Sequence, residues 1–549
     1  MRAARTVVVV GGGFAGLATA GLLARDGHDV TLVEKNPALG GRAGRWSAEG
    51  FTFDTGPSWY LMPEVIDRWF RLMGTSAADQ LDLQHLDPAY RVFAEDHLAD
   101  GPTDVPGGTE EACDLFESLE PGAGMRLRSY LASASRTYAL AKRRFLYTDF
   151  DRPWELAHRE VLAALPALGR QLAGSLWTHV TRRFEDVRLR QVLAYPAVFL
   201  GTSPRRAPAM YHLMSHLDLV DGVQYPRGGF AALVDAMEGL CRAEGVRILV
   251  DTEVTAVEVA GHDDGRLRGM SRRLRRPSRS GTRATGVRVL RRTADDTDAA
   301  GELRLPADVV VGAADLHHLQ TRLLPPSLRA PESRWDRRDP GFSGVLVCLG
   351  VRGRLPQLLH HSLLFTADWD ENFARIEQGR DLPDPTSVYV SRTTATDPDM
   401  APPGDESLFL LVPSPAQVDW GHGGVRTPGR DEPGDAQVEA VADRAVAQLA
   451  EWAGIPDLAE RVVVRRTVGP ADLAEQVHAW RGSLLGPGHV LRQSALFRPV
   501  VRDRRIRGLF YAGSSVRPGI GVPMCLISAE IVREAVSGVR AGADEEVSP

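Results

Sequence analysis

The stretch "VVVVGGGFAGLATAGLLARDGHDVTLVEKNPALGGRAG", residues 7–44, constrains this chain more than any other. Residues 7–10 form a short β-branched run, the mark of a buried parallel strand. Gly11, Gly13 and Gly16 then spell G-x-G-x-x-G. Residues 15–25 carry leucines at helical spacing and Gly27 sits where such a helix ends. Residues 29–34 alternate as a second strand and finish on Glu34, about 20 residues beyond the glycines, where an acid reaches a ribose hydroxyl. The three glycines differ in role. Gly11 allows the tight turn, Gly13 lets backbone approach a pyrophosphate, and Gly16 lets helix and strand pack closely. Free N–H groups at the helix N-terminus favour phosphate. A lone G-x-G-x-x-G also occurs in ordinary turns; strand, helix, strand and acid in order predict dinucleotide binding.

The sequence that follows selects the dinucleotide. "GGRAG" (residues 40–44) lies one short loop past Glu34, and "FDTGPSWYLMP" (residues 53–63) comes soon after. A simple nicotinamide enzyme does not need this extension. FAD is longer and its ring system must also be cradled. Gly41 and Arg42 are expected under the extended cofactor, with Arg42 facing phosphate or flavin; the alternative for Arg42 is a surface salt bridge in a common turn composition.

A chain of 549 residues can bury a large core and hold two or more domains. A formal net charge of −6 gives no ground for nucleic-acid binding. The four cysteines are scattered without a C-x-x-C, so neither a zinc site nor a disulfide frame is expected, which fits a reducing compartment. The first strand starts within a few residues of Met1, leaving no room for a signal peptide, and no apolar run reaches the roughly 20 residues that span a bilayer. A cytoplasmic protein, soluble or resting on a membrane surface, is the expectation.

Four further segments read as pieces of the cofactor unit. Residues 225–254 give a helix over 230–244, a stop at Gly245 and a strand over 246–250. Residues 285–292 form a hairpin partner, residues 307–315 a buried strand, and residues 508–536 a strand, a glycine-rich loop and a long helix from about Val522. The expected fold is α/β: a Rossmann-like FAD-binding domain of parallel sheet and helices (1–75, 222–325 and 495–549), plus a discontinuous α+β substrate domain with a helical, membrane-facing part (76–221 and 326–494).

With these segments in view, the chain resembles the bacterial-type phytoene desaturases of the wider flavin-containing amine oxidase group. "GGGFAG…VEKNPALGGRAG" and "FDTGPS" match the family's FAD segments, and "YPRGGFAALVDAM" matches its central segment. "HHSLLFTADWDENFARI" and "TSVYVSRTTATDP" resemble parts of its substrate side. "YAGSSVRPGIGVPMCLISAE" carries its most specific piece, P-G-x-G-x-P. The resemblance implies FAD, a long isoprenoid hydrocarbon substrate (phytoene, converted stepwise toward lycopene), work at a membrane surface, and oxygen or a quinone as electron acceptor. It implies cofactor contacts at Gly11, Gly13, Phe14, Ala15, Gly16, Glu34, Lys35, Gly41, Arg42, Gly56, Pro57, Ser58, Val254, Gly513, Ser514, Gly521, Val522, Pro523 and Met524. Amine oxidases often place an acid after the glycine of the last strand; Ser514 stands there, which favours the desaturase branch. A ketolase or later-acting desaturase of the same fold, and a lipid-binding flavoprotein without catalysis, remain alternatives.

In the "PGIGVPM" loop, Gly519 and Gly521 permit close backbone approach, and Pro523 suits a first helical turn whose positive end would stabilise charge on a reduced flavin. No catalytic base stands out: Asp149 and Arg152 are weak candidates, and a plain loop is the stronger reading. His360–His361 makes a poor metal pair, since strand neighbours face opposite ways; no metal is expected. Residues 161–177 carry Val161, Leu162, Leu165, Leu168, Leu172 and Leu176 at helical spacing, with Trp177 at one end, and suit an interfacial helix or an ordinary core helix. Residues 266–283 hold eight arginines and no acid, a solvated loop or a patch for anionic headgroups.

Overall fold

The computed structural model describes residues 3–150, 158–261, 281–291 and 301–542. Arg152 and nearly all of the arginine-rich stretch 266–283 lie outside the described residues.

A five-stranded parallel sheet is laid down in the order Leu509–Tyr511, Val309–Gly312, Thr6–Val10, Asp29–Val33, Arg247–Leu249. The β-branched run Thr6–Val10 takes the central place, where both faces are covered; Val7, Val8 and Val9 are fully buried. The first crossover helix, Phe14–Arg25, buries every residue from Phe14 to Ala24. Its alanines and glycines let it lie between the sheet and the helices Gly229–Ala243 and Val522–Ser537. Gly21 is one such contact point: a Cβ there would stand 3.0 Å from Met73 Cε and 3.2 Å from Cys241 Sγ.

Observed bounds differ from the expected ones at element ends. The strand expected over 246–250 is Arg247–Leu249, and that over 307–315 is Val309–Gly312. The stretch 285–292 is strand Arg283–Arg291, antiparallel to Thr252–Ala260. The helix expected over 230–244 is Gly229–Ala243, entered through Gly228 and Gly229, both left-handed (φ 80° and 76°).

The second sheet has nine strands and mixed direction. Its middle is Phe342–Val351 against Glu406–Pro415, ten pairs in antiparallel register. Phe342–Val351 is buried at every position because a helix, Ala436–Trp452, covers one face and the core fills the other. Strand Tyr90–Ala94 joins this sheet parallel to His361–Phe365, across more than 260 residues of sequence.

The apolar stripe expected as one helix over 161–177 is two. Arg159–Ala173 ends at Gly174, and Ser175 caps a new helix, Leu176–Thr181, by accepting the Thr178 N–H at 3.2 Å. The stripe therefore divides. Leu162, Leu165 and Leu172 are exposed, whereas Leu176 is buried and Trp177 packs beside Trp369, under the Arg205 guanidinium.

Candidate functional site

A cavity of about 790 Å³ opens where the two sheets meet. Eighteen of the nineteen residues expected to touch cofactor line it. Gly16 is the exception and sits beneath the turn: a Cβ there would fall 1.9 Å from the Gly11 carbonyl oxygen. Gly16 thus serves helix–turn packing and the other two glycines face the cavity. Gly11 needs its left-handed backbone (φ 103°). Gly13 does not (φ −76°), and a Cβ on it would meet nothing closer than Gly40 O at 3.6 Å, so its lack of a side chain leaves room in the cavity itself.

The strand expected over 29–34 is Asp29–Val33, so Glu34 stands just past its end, buried on the cavity wall. Its carboxylate also holds the adjoining turns. Oε2 accepts the Gly12 N–H at 2.7 Å and Oε1 accepts the Asn36 N–H at 2.9 Å. Each oxygen keeps a second lone-pair direction for a further donor. Beside it, Lys35 and Asn36 donate to the carbonyls of Glu475 and Gln476, at the end of helix Pro470–Val477. Val254 and Glu253 complete this end of the cavity, with His318 and His478 stacked ring on ring at 3.8 Å.

Arg42 is not a surface residue in a solvated pair. Its Nη2 lies 3.6 Å from Oδ2 of the buried Asp315, which also lines the cavity, and its Nε is buried without a protein partner. Asp315 is itself held by the His317 N–H at 2.9 Å. An arginine with a buried, unfilled donor facing a cavity suits an anionic group.

The FDTGPS and YPRGGF segments turn out to be one device. Asp54 accepts the N–H groups of Phe230 at 2.9 Å and Ala231 at 3.3 Å, so it caps the helix that Gly229 opens. A Cβ on Gly229 would stand 2.1 Å from that carboxylate. Burial pushes the Asp54 pKa up to about 6, with the two N–H bonds pulling the other way. Gly56 follows; a Cβ there would fall 1.9 Å from the Arg42 carbonyl oxygen, which locks the two segments side by side.

At the far end, Gly513, Ser514 and residues 521–524 form the floor. The Gly513 N–H donates to Ser528 Oγ at 2.9 Å. Helix Val522–Ser537 starts on Gly521 (φ 121°) with no side chain capping its first amides, and helix Phe14–Arg25 starts on Gly13 in the same way. Two uncapped N-termini therefore converge on one cavity, each with free donors for negative charge. His489, which no sequence pattern marked, secures this loop. Its Nε2 accepts the Ile520 N–H at 3.2 Å, which leaves the ring proton on Nδ1 to donate to Tyr211 Oη at 2.5 Å. Burial holds the ring neutral, well below the usual histidine range. Gly519 is required here because a Cβ would stand 2.5 Å from the His489 ring.

Asp149 is engaged rather than poised: Oδ1 accepts the Val501 N–H at 3.3 Å and lies 3.5 Å from Arg517 Nη1. Arg517 lines the cavity, so the aspartate orients a cation there. His360 and His361 are both buried and held neutral by desolvation, His360 down to about 3. His361 stacks on the cavity-lining Trp59 at 4.4 Å and hydrogen-bonds Tyr389, while His360 bonds Thr396. Among the described residues, no group of three or more His, Cys, Asp or Glu is placed to hold a metal ion.

The remaining wall is mostly hydrocarbon. Leu140, Phe145, Leu168, Phe199, Leu346 and Phe409 belong to it, and Leu165 and Leu172 of helix Arg159–Ala173 form its outer part. A polar, glycine-lined end and a long apolar end thus share one volume, which can hold a dinucleotide ring face against an apolar chain.

Comparison with known proteins agrees with this geometry. Residues 14–536 match the family described as flavin containing amine oxidoreductase. The chain is 38% identical over 531 residues to a carotenoid 3,4-desaturase of Haloarcula japonica, covering 96% of this chain and 97% of that protein. It is 34% identical over 539 residues to a zeta-carotene-forming phytoene desaturase of Myxococcus xanthus (96% and 93%) and 34% identical over 543 residues to a phytoene dehydrogenase of Streptomyces griseus (97% and 95%). Among solved structures, an oxidoreductase from Methanosarcina mazei shares the fold with TM-score 0.59 and 16% identity (96% and 100%), and wild-type putrescine oxidase bound to putrescine with TM-score 0.57 and 16% identity (98% and 99%). The chain belongs to the flavin-containing amine oxidoreductase family, in its carotenoid desaturase branch.

Proposed function

We propose that the protein is an FAD-dependent carotenoid desaturase that dehydrogenates phytoene stepwise toward lycopene in carotenoid biosynthesis. The observation that carries this reading is the shared cavity: a glycine-lined end with two uncapped helix N-termini continues into a largely apolar wall. The residues fit FAD. Gly11 and Gly13 leave room for a pyrophosphate, Glu34 keeps acceptor capacity for a ribose, Arg42 holds a free buried donor, and residues 513–514 and 521–524 would lie against the flavin. When bound, FAD supplies the hydride acceptor.

The chain's own residues do the rest. Burial alone binds a hydrocarbon, at about 25 cal/mol per Å² of apolar surface removed from water. Leu346, Phe409 and the aromatic group around Trp59 and Tyr389 would orient the chain and exclude water. The amides opening helix Val522–Ser537 favour the negative charge delivered to that end of the cavity. Residues 1–75, 222–325 and 495–549 serve as the cofactor unit and residues 76–221 and 326–494 as the substrate unit. The short ladder of Leu83–Leu86 with Val223–Pro226 ties the two together.

A hydrocarbon this insoluble must arrive from a bilayer. Among the described residues no helix is long and apolar enough to cross one. The exposed Leu162, Leu165 and Leu172 on a helix that also walls the cavity support peripheral attachment at the cytoplasmic membrane face, with electrons passing to oxygen or a quinone. The 38% identity to a carotenoid 3,4-desaturase favours, as a second reading, a later step on an already conjugated chain. Expression in a phytoene-accumulating host, and separately in a lycopene-accumulating host, tests both. Loss of hydrogen pairs from phytoene with a red-shifted spectrum supports the first, and change only in the lycopene host the second. Unchanged pigments in both would refute desaturation.

A further inference from the structure

A second cavity, of about 580 Å³, lies next to the first and has a different chemistry. Arg206, Arg337, Arg338, Arg481, Arg492 and Arg498 line it, against two acids, Asp339 and Glu377. Both acids are taken by Arg206, and Arg481 is paired with Asp336 at 3.2 Å. The other four arginines have no acid partner among the described residues. Arg498 is 2% exposed, and its guanidinium is fixed by the carbonyls of Val516, Gln493, Pro487 and Ser514, which orient it without neutralising it. Arg338 lies over the Trp335 ring at 4.6 Å. Arg337 and Arg492 stand exposed at the opening. Four of the five Arg498 N–H groups are taken by those carbonyls, so Arg498 adds fixed, un-neutralised charge behind Arg337, Arg338 and Arg492, and together they favour an anion.

What surrounds the opening decides which anion. Residues 491–497 make two short turns, Leu491–Gln493 and Ala495–Phe497, and present Leu491, Leu496 and Phe497 to solvent; Phe497 is 67% exposed. Leu496 lines the large cavity, its neighbour Phe497 lines the basic one, and Ser515 lines both. One apolar ridge therefore divides a hydrocarbon site from a cationic site. A soluble anion has no use for such a ridge, whereas an amphipathic molecule with acyl chains and a phosphate does.

We propose that the arginine-lined cavity is the headgroup site for an anionic phospholipid, and that residues 491–497 enter the acyl layer beside it, setting the mouth of the apolar cavity against the bilayer. This rests on the reading of the protein as peripherally attached to membrane, and adds the lipid class and the place of contact.

The test is flotation of the FAD-loaded enzyme with phosphatidylcholine vesicles and with vesicles that also contain phosphatidylglycerol. Three variants accompany the wild type: R337Q/R492Q, L496S/F497S and deletion of residues 266–280. Each basic residue at a membrane surface contributes about 1 kcal/mol, so R337Q/R492Q should weaken binding to the anionic vesicles ~30-fold and leave neutral vesicles unchanged. L496S/F497S should weaken both alike. A preference for anionic vesicles that survives R337Q/R492Q but disappears on deleting 266–280 would overturn the proposal and place headgroup contact on that insert. Equal wild-type binding to both vesicles, with inorganic phosphate raising the unfolding temperature of the wild type but not of R337Q/R492Q, would overturn the lipid in favour of soluble phosphate. No flotation with either vesicle, while pigment is still formed in cells, would refute peripheral attachment itself and leave the desaturase reading standing.

Discussion

Two glycines three residues apart should respond to the same methyl group in opposite ways. Gly13 has an extended backbone (φ −76°, ψ −178°) open to any residue, and an added Cβ would meet only Gly40 O at 3.6 Å. Gly13→Ala should therefore leave the apoprotein folded and as stable as the wild type, or more stable by about 0.4–1 kcal/mol through a less flexible unfolded chain. The methyl enters the cavity where a pyrophosphate must touch the helix N-terminus. Losing two charge-assisted bonds there, at about 1.5–3 kcal/mol each, weakens FAD by at least ~100-fold. Gly16→Ala is the reverse. Its Cβ would start 1.9 Å from the Gly11 oxygen, and backbone on both sides must part. Overpacking of this kind costs about 1–3 kcal/mol or more, so the apoprotein itself should unfold at lower temperature. Thermal unfolding of the flavin-free proteins, with FAD titration of each, separates the two. Normal FAD binding by Gly13→Ala, or an apoprotein as destabilised as Gly16→Ala, would refute this division of roles.

Three other substitutions probe the remaining parts. Glu34→Gln keeps shape but offers one acceptor where two backbone N–H groups point; FAD affinity should fall about 10- to 100-fold by titration, and an unchanged dissociation constant would show that the carboxylate matters neither for the turn nor for the ribose. Gly521→Ala forces a side chain into a left-handed backbone (φ 121°), so the loop shifts; turnover should drop about 10²–10³-fold while flavin content falls far less, and equal losses would place the loop outside the reaction. Asp218 is buried among the Tyr90 and Tyr195 hydroxyls, and desolvation raises its pKa from 3.8 to about 7. Folded protein therefore binds the proton more tightly than unfolded chain, and this site's contribution to stability is present below about pH 4 and lost as pH rises toward about 7. Asp218→Asn should remove that decline, so its stability relative to wild type climbs by a few kcal/mol over this window; a flat difference in denaturant unfolding would count against it.

Residues 7–34 are nearly transparent to reading because their partners are close in sequence: strand, turn, helix and acid declare one another through period and glycine placement. Arg42 was legible as a cavity residue or a surface ion pair, and only the location of Asp315, more than 270 residues away, decided it. Asp54 and the glycines of residues 228–229 looked like separate motifs, since a carboxylate capping a distant helix leaves no local trace. His489 was silent for the same reason: its bonds to Tyr211 and Ile520 span 278 and 31 residues. The leucines over 161–176 are legible as helical, but the small residues Gly174 and Ser175 end one helix and cap the next. The nine-stranded sheet was hidden because strands such as Phe342–Val351 are buried on both faces and lose the alternation that would have marked them.

The most direct test is the reductive half-reaction without oxygen. Purified protein loaded with FAD is mixed anaerobically with phytoene in anionic liposomes, while flavin absorbance and product mass are followed together. A carotenoid desaturase should bleach its oxidised flavin band in step with a product two hydrogens lighter and more conjugated, and Gly521→Ala should slow both. A flavin band that stays oxidised, with phytoene recovered unchanged and the same result in a parallel run with lycopene, would contradict desaturation by this chain.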